Sequence, residues 1–206
     1  LEPGHTWQAP IYSSVVDAGL TNEFTPLFAM DVKAKAFDDR LIACVERITH
    51  DGAGSYKGLY EWIEELRGRF KLGGDIRGYF DAAANLSGKS LPETGPARLQ
   101  ARKWLASFLD NARMSTPIGI YTRTDALSHI FRHDRFLQST LSSKRAKEIR
   151  DQIVGSPSLF SAYQSHLELI ARLTNPSSIA SVLETQGDEF AFLPVSDSLE
   201  NQLIKA

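Results

Sequence analysis

Apolar residues recur at helical spacing from the first third of the chain onward. Between Thr25 and His50 the apolar positions are separated alternately by three and four residues, at Leu27, Met30, Ala34, Phe37, Leu41, Cys44 and Ile48. This spacing predicts one apolar seam on a helix of about 24 residues, of the kind that packs in a bundle or a coiled-coil pair. The glycines of "HDGAG" at 50–54 predict its end, because glycine adopts the left-handed conformation at little cost.

Similar patterns predict the remaining elements. We expect helices after an N-cap at Ser55, over "IRGYFDAAANL" (76–86), at 97–113, after an N-cap at Thr124, at 142–154 and at 156–174, with a short helical turn at 177–184. The segment "STPIGIYT" at 115–122 is predicted to be extended, since the residue before a proline avoids the helical region. Gly58 and Gly78 are expected to allow close approach of the backbone at helix starts.

These elements predict an all-α fold, an irregular bundle of about six to eight helices with one short extended segment and extended termini. We expect residues 1–24 to form an extended N-terminal arm and residues 25–184 the helical domain. Residues 185–206 are interpreted as a tail or as the start of a following region.

Composition narrows the classes of function. The 206 residues carry a net charge of −2 and are 42% apolar, so we expect a globular core and no nucleic-acid partner. No apolar run approaches the roughly 18 residues of a membrane span. The single cysteine, Cys44, excludes an internal disulfide and is expected to pack in the core. Asn85 begins a glycosylation sequon, and the sequence leaves the compartment open.

Two histidines four residues apart suggest a metal site. His129 and His133 would lie on one face of a helix, which is the geometry of zinc-binding helices. The zinc protease motif needs a glutamate directly after the first histidine, and Ile130 stands there instead. We therefore favour the interpretation that His129 and His133 are polar residues on the flank of a helix. Binding of a transition metal such as zinc is the alternative.

The helical periodicity of the apolar residues predicts that two ionisable residues, Asp134 and His166, face the core. Asp134 falls near the middle of the apolar face of its helix, and His166 lies within the apolar stripe of its own. A carboxylate in a core is costly unless it is paired, so we expect Asp134 to pair with His166 or with an arginine such as Arg98 or Arg102. A structural role is favoured over a catalytic one.

A polar helix start suggests a second candidate site. Tyr121 and Arg123 precede the N-cap Thr124, and a helix N-terminus beside an arginine suits a carboxylate or a phosphate. If a pocket exists, these two residues are expected to line it with His129, His133 and His166. "SGKS" at 87–90 is no phosphate-binding loop, because Ala83 stands where that motif needs glycine.

Two functions remain open. The first is a helical interaction domain, expected to be the N-terminal part of a larger protein, that binds a protein partner or the remainder of the longer chain. Trp7, Trp62 and Trp104 are its candidate interface anchors. The alternative is a metal- or histidine-dependent hydrolase built around His129, His133 and His166, with Asp134 as ligand or orienting group.

Overall fold

A computed structural model describes residues 26–91, 94–173 and 179–195, and the side chains from Met30 onward. The predicted arm at 1–24 lies outside the described residues. Within them the chain forms eight α-helices: α1 Pro26–Asp51, α2 Leu59–Gly68, α3 Asp75–Leu86, α4 Gly95–Asp110, α5 Ala112–Ser115, α6 Asp125–Leu137, α7 Ser143–Val154 and α8 Pro157–Leu173. The predicted class, an irregular and mostly helical bundle, is confirmed. None of the described helices is both long and apolar enough to cross a membrane.

The described residues also form three very short strands. They are β1 Leu141–Ser142, β2 Ala180–Ser181 and β3 Glu189–Ala191, in the order β1-β3-β2. The central strand β3 is antiparallel to β1 and parallel to β2, and Phe190 is aligned with both Leu141 and Ala180. The side chains of Phe190 and Phe192 are buried, so the core extends beyond residue 184, where the helical domain was predicted to end.

The chain divides into two compact units, Leu1–Cys44 and Val45–Ala206. The second unit holds an aromatic core in which Trp62, Tyr163 and Phe192 contact one another at ring-centroid distances of 5.3–5.7 Å. Trp62 is completely buried, so it cannot anchor an interface as the sequence suggested. Trp104 is half-buried, and Trp7 lies outside the described residues.

A buried ion pair joins α2 to α3. The side chain of Asp81 has no exposed surface, and its Oδ1 accepts hydrogen bonds from Nε of Arg67 at 2.7 Å and from Nε of Arg77 at 3.0 Å. Two charge-assisted hydrogen bonds offset the cost of placing this carboxylate in the core.

Helix α1 forms where the pattern places it, but its seam is not buried. Phe37 is 67% exposed and Leu41 53% exposed, and Cys44 is exposed as well. The expectation that Cys44 packs in the core is therefore wrong. The 3-4 spacing predicts which residues share a face of the helix, and it does not determine what covers that face. The helix ends before Gly52, whose φ of +85° is the left-handed conformation expected there.

Two local predictions are also corrected. Ser55 is not an N-cap: residues 53–56 form a turn closed by an Ala53–Tyr56 bridge, and α2 begins only at Leu59. The segment 115–122 is extended only in its middle, because Ser115 ends α5 and Gly119–Thr122 forms a 3-10 helix that opens at Gly119 with φ +58°. Within the described part of the helical turn predicted at 177–184, strand β2 covers Ala180–Ser181, and one turn follows, closed by a hydrogen bond from the amide of Glu184 to the backbone oxygen of Ser181.

The close approach expected at Gly58 and Gly78 is confirmed. A Cβ on Gly58 would lie 2.4 Å from the backbone oxygen of His50, and a Cβ on Gly78 would lie 2.5 Å from Cβ of Gln100. Gly78 thus allows α3 to pack directly on the backbone of α4.

We predict that Gly78→Ala lowers the free energy of unfolding by about 1–3 kcal/mol, because the added methyl forces α3 away from α4. Gly68→Ala is the matched control, since in the described part of the chain no heavy atom beyond its neighbours and its own helix backbone lies within 4 Å of a Cβ at this helical position. The control should leave stability unchanged or raise it by up to about 1 kcal/mol. Urea unfolding of both variants measures the difference, and equal stability of the two would contradict the packing described.

Candidate functional site

Asp134 lies at the centre of a cluster of buried histidines. Helix α6 begins at a cap in which Oγ1 of Thr124 accepts a hydrogen bond from the amide of Leu127 at 3.2 Å. Three turns later, Oδ1 of Asp134 accepts from Nδ1 of His133 at 3.0 Å and from Nε2 of His50 at 2.8 Å. The Asp134 side chain is 26% exposed, whereas each of the two histidines is 1% exposed.

The hydrogen bonds of His50 define its protonation state. His50 lies in the last turn of α1, where its Nδ1 is 2.7 Å from the backbone oxygen of Glu46. A carbonyl and a carboxylate only accept, so both ring nitrogens of His50 must donate. His50 is therefore an imidazolium that bridges the backbone of α1 and the Asp134 carboxylate on α6.

The pKa values follow from these contacts. Burial by itself lowers the pKa of His50, but the charge of Asp134 and the hydrogen bonds outweigh burial and raise it to about 9. Burial lowers the pKa of His133, because the favourable contact with Asp134 does not compensate fully. For Asp134, burial alone would raise the pKa, and the charge of His50 with both imidazole hydrogen bonds lowers it instead.

Two tyrosines and a glutamate extend the cluster. The ring of Tyr60 lies 5.0 Å from that of His50 and 5.1 Å from that of His133, measured between centroids. The hydroxyl of Tyr121 donates to Oε1 of Glu46 at 2.5 Å. Burial and the negative charge of Asp134 raise the pKa of Glu46. Tyr121, a predicted binding residue, thus contacts the cluster through Glu46.

His166 is buried, but it is not one of the residues that contact Asp134 directly. Its Nδ1 lies 3.3 Å from the hydroxyl of Tyr56, its ring lies 6.0 Å from that of Trp62, and its Nε2 has no hydrogen-bond partner among the described residues. The side chain is 1% exposed, and burial lowers its pKa to about 4. Its location in the apolar stripe of α8 agrees with the pattern, while the direct partners of Asp134 are His50 and His133.

His129 lies outside the group formed by His50, His133 and Asp134. His129 packs against Gly88, with its Nδ1 3.0 Å from where a Cβ of that glycine would be. It also lines a cleft of about 380 Å³ whose other walls are Asn85, Leu86, Leu109, Ser115, Thr116 and Arg132. Arg123 is exposed at the end of the 3-10 helix.

The residues that offer a metal-ligand set are His50, His133 and Asp134. One candidate ligand atom from each lies within 4.8 Å of the other two, and among the described residues they form the one such group of histidine, cysteine and carboxylate side chains. His133 belongs to the predicted metal pair, and His129 does not take part in this group.

No family model, no curated protein and no solved structure matches the chain.

Sequence reasoning missed His50, Glu46 and Tyr60. The sequence did carry a sign of a polar contact on the predicted helix. Glu46 lies three residues before Thr49 and four before His50, so these polar residues share one side of the helix, away from the apolar seam. All three are buried or half-buried in the structure. Nothing in a single sequence, however, links residue 50 to residue 134.

We predict that His166→Phe reduces the loss of stability in acid. A histidine whose pKa falls from 6.5 to about 4 on folding takes up a proton more readily when unfolded, so the native chain loses stability as the pH falls from 6.5 towards 4. Phenylalanine removes this loss, worth up to about 3 kcal/mol. Urea unfolding at pH 6.5 and 4.5 measures it. An equal loss in both proteins would show that His166 binds protons in the folded state as readily as in the unfolded state.

Proposed function

We propose that this chain is a helical domain that binds a divalent transition-metal ion, with Zn²⁺ as the first candidate, through His50, His133 and Asp134. The observation that carries the proposal is the meeting of three candidate ligand atoms within 4.8 Å. Imidazole nitrogen and carboxylate oxygen are ordinary ligands of zinc.

The surroundings of His50 support the proposal. A metal-binding histidine usually donates its second ring N–H to a carbonyl or a carboxylate, which fixes the tautomer and the ring orientation. The bond from Nδ1 of His50 to the backbone oxygen of Glu46 has this form. The metal ion would take the place of the proton between Nε2 of His50 and Asp134.

Metal binding would require the three ligand atoms to take up tetrahedral spacing. Ligand atoms around a tetrahedral zinc ion lie about 3.3 Å apart, as follows from zinc–ligand distances of about 2.0–2.1 Å. The two nitrogen–oxygen distances at Asp134 are 2.8 and 3.0 Å, so each would lengthen by a few tenths of an ångström. The nitrogens of His50 and His133 lie within 4.8 Å of each other and would take the same spacing of about 3.3 Å.

Burial favours a stabilising role over hydrolysis. A catalytic metal keeps one position open to water and substrate. Both histidines are 1% exposed, and only Asp134 reaches the surface. A metal ion here would connect the last turn of α1 to α6 and would stabilise an interaction domain. The hydrolase alternative has less support, because His129 and His166 lie outside this group.

The test is metal binding by the chelator-treated chain. We predict near-stoichiometric binding of Zn²⁺, and of Co²⁺ with visible absorption bands typical of nitrogen and oxygen ligands. The bound ion should raise the free energy of unfolding, by about 2.7 kcal/mol when free metal is 100 times the dissociation constant.

Paired variants locate the ligands. His50→Gln with His133→Gln should lose the cobalt spectrum and the stabilisation, whereas His129→Gln should keep both. Circular dichroism shows whether each variant is folded. Absence of binding in the wild type, or equal binding in the folded double variant, would contradict the proposal.

A further inference from the structure

One face of helix α1 carries a row of exposed apolar side chains. Met30, Ala34, Phe37, Leu41 and Cys44 follow the 3-4 spacing, and every one of them is exposed. Exposed apolar residues in a continuous row mark an interaction surface more often than single ones do. We call these five residues the α1 seam.

The spacing of the α1 seam defines the kind of partner that fits it. In heptad notation Ala34 and Leu41 occupy a positions, while Met30, Phe37 and Cys44 occupy d positions. A straight helix whose apolar residues repeat every 3.5 positions fits another helix with the same repeat, side by side. A second copy of α1 supplies such a repeat.

The charges beside the seam select the orientation. Asp31 and Asp38 occupy e positions, Lys33 and Arg40 occupy g positions, and all four are exposed. In a parallel pair each g residue faces the e residue five positions further along the other helix, so Lys33 of one copy faces Asp38 of the other. In an antiparallel pair e faces e and g faces g, which would oppose like charges.

We infer that two copies of this chain associate through the α1 seam as a parallel coiled coil. Leu41 and Phe37 of one copy pack against the same residues of the second copy, and two Lys33–Asp38 pairs flank them. Each exposed ion pair contributes only about 0.2–1 kcal/mol, so the charges decide orientation and the apolar layers supply affinity.

The exposed Cys44 provides a probe of the orientation. At a d position of a parallel pair, Cys44 of one copy faces Cys44 of the other, close enough for a disulfide after a small adjustment. In an antiparallel pair centred on the seam, the two cysteines lie near opposite ends of the contact. The inference does not depend on metal binding, because none of the proposed ligands belongs to the seam.

Two neighbouring residues give matched variants for the test. Leu41 is 53% exposed on the seam, and Ile42 is 45% exposed beside it at a b position. In sedimentation of the full chain between about 1 and 200 μM, we expect a dimer for the wild type and for Ile42→Lys. Leu41→Lys should weaken the dimer about 100-fold or more, because two buried leucines are lost per dimer.

Charge exchange and cross-linking test the orientation. Lys33→Glu should weaken the dimer, and adding Asp38→Lys should restore it. Copper(II) phenanthroline should oxidise the paired Cys44 thiols to a disulfide, taking two electrons while two protons are released, in the wild type and not in Leu41→Lys. A wild type that is monomeric at 200 μM would overturn the inference, as would a dimer insensitive to Leu41→Lys. A dimer that forms no Cys44 cross-link would overturn the parallel arrangement.

Discussion

A carboxylate on a largely apolar helix face needs partners, and the contact between the end of α1 and α6 follows from this constraint. Asp134 accepts from two imidazoles that are themselves buried, so none of the three polar groups is left unpaired at that contact. Removing one member would leave a buried charge uncompensated, which costs several kcal/mol. The cluster therefore connects the end of α1 to α6 across 84 positions of sequence.

The charged state of the cluster depends on His50. Its folded pKa of about 9 exceeds the ordinary 6.5, so its contribution to stability is complete below pH 6.5 and disappears as the pH rises through 9. His166 acts in the other direction, because its protonation in acid opposes folding. The second unit is thus expected to be most stable near pH 6.5, because stability is lost above this pH through His50 and below it through His166.

Local chemistry predicted much of the fold. The Thr124 cap, the glycine stop after α1 and the close packing at Gly78 each depend on a few adjacent residues, and each is confirmed. The inward location of Asp134 also follows from helical periodicity. What covers a helix face is decided by distant segments, and so the seam of α1, with Cys44, was wrongly expected to be buried.

The same reasoning explains the prediction of the site. Periodicity predicted that Asp134 and His166 face inward. The four-residue spacing of His129 and His133 made His133 a candidate metal ligand. It could not reveal that His50 lies beside Asp134, because that contact is tertiary and joins a helix end to the middle of another helix. The metal-ligand group therefore shares His133 with the predicted pair and replaces His129 by His50.

The central claim is that Asp134 holds His50 as an imidazolium. Nitrogen NMR of the histidine rings in the chelator-treated chain tests it most directly. The account predicts that both ring nitrogens of His50 carry protons at pH 7.5, that the ring titrates near pH 9, and that Asp134→Asn lowers this pKa. A neutral His50 ring at pH 7.5, titrating near 6.5 in both proteins, would contradict the account.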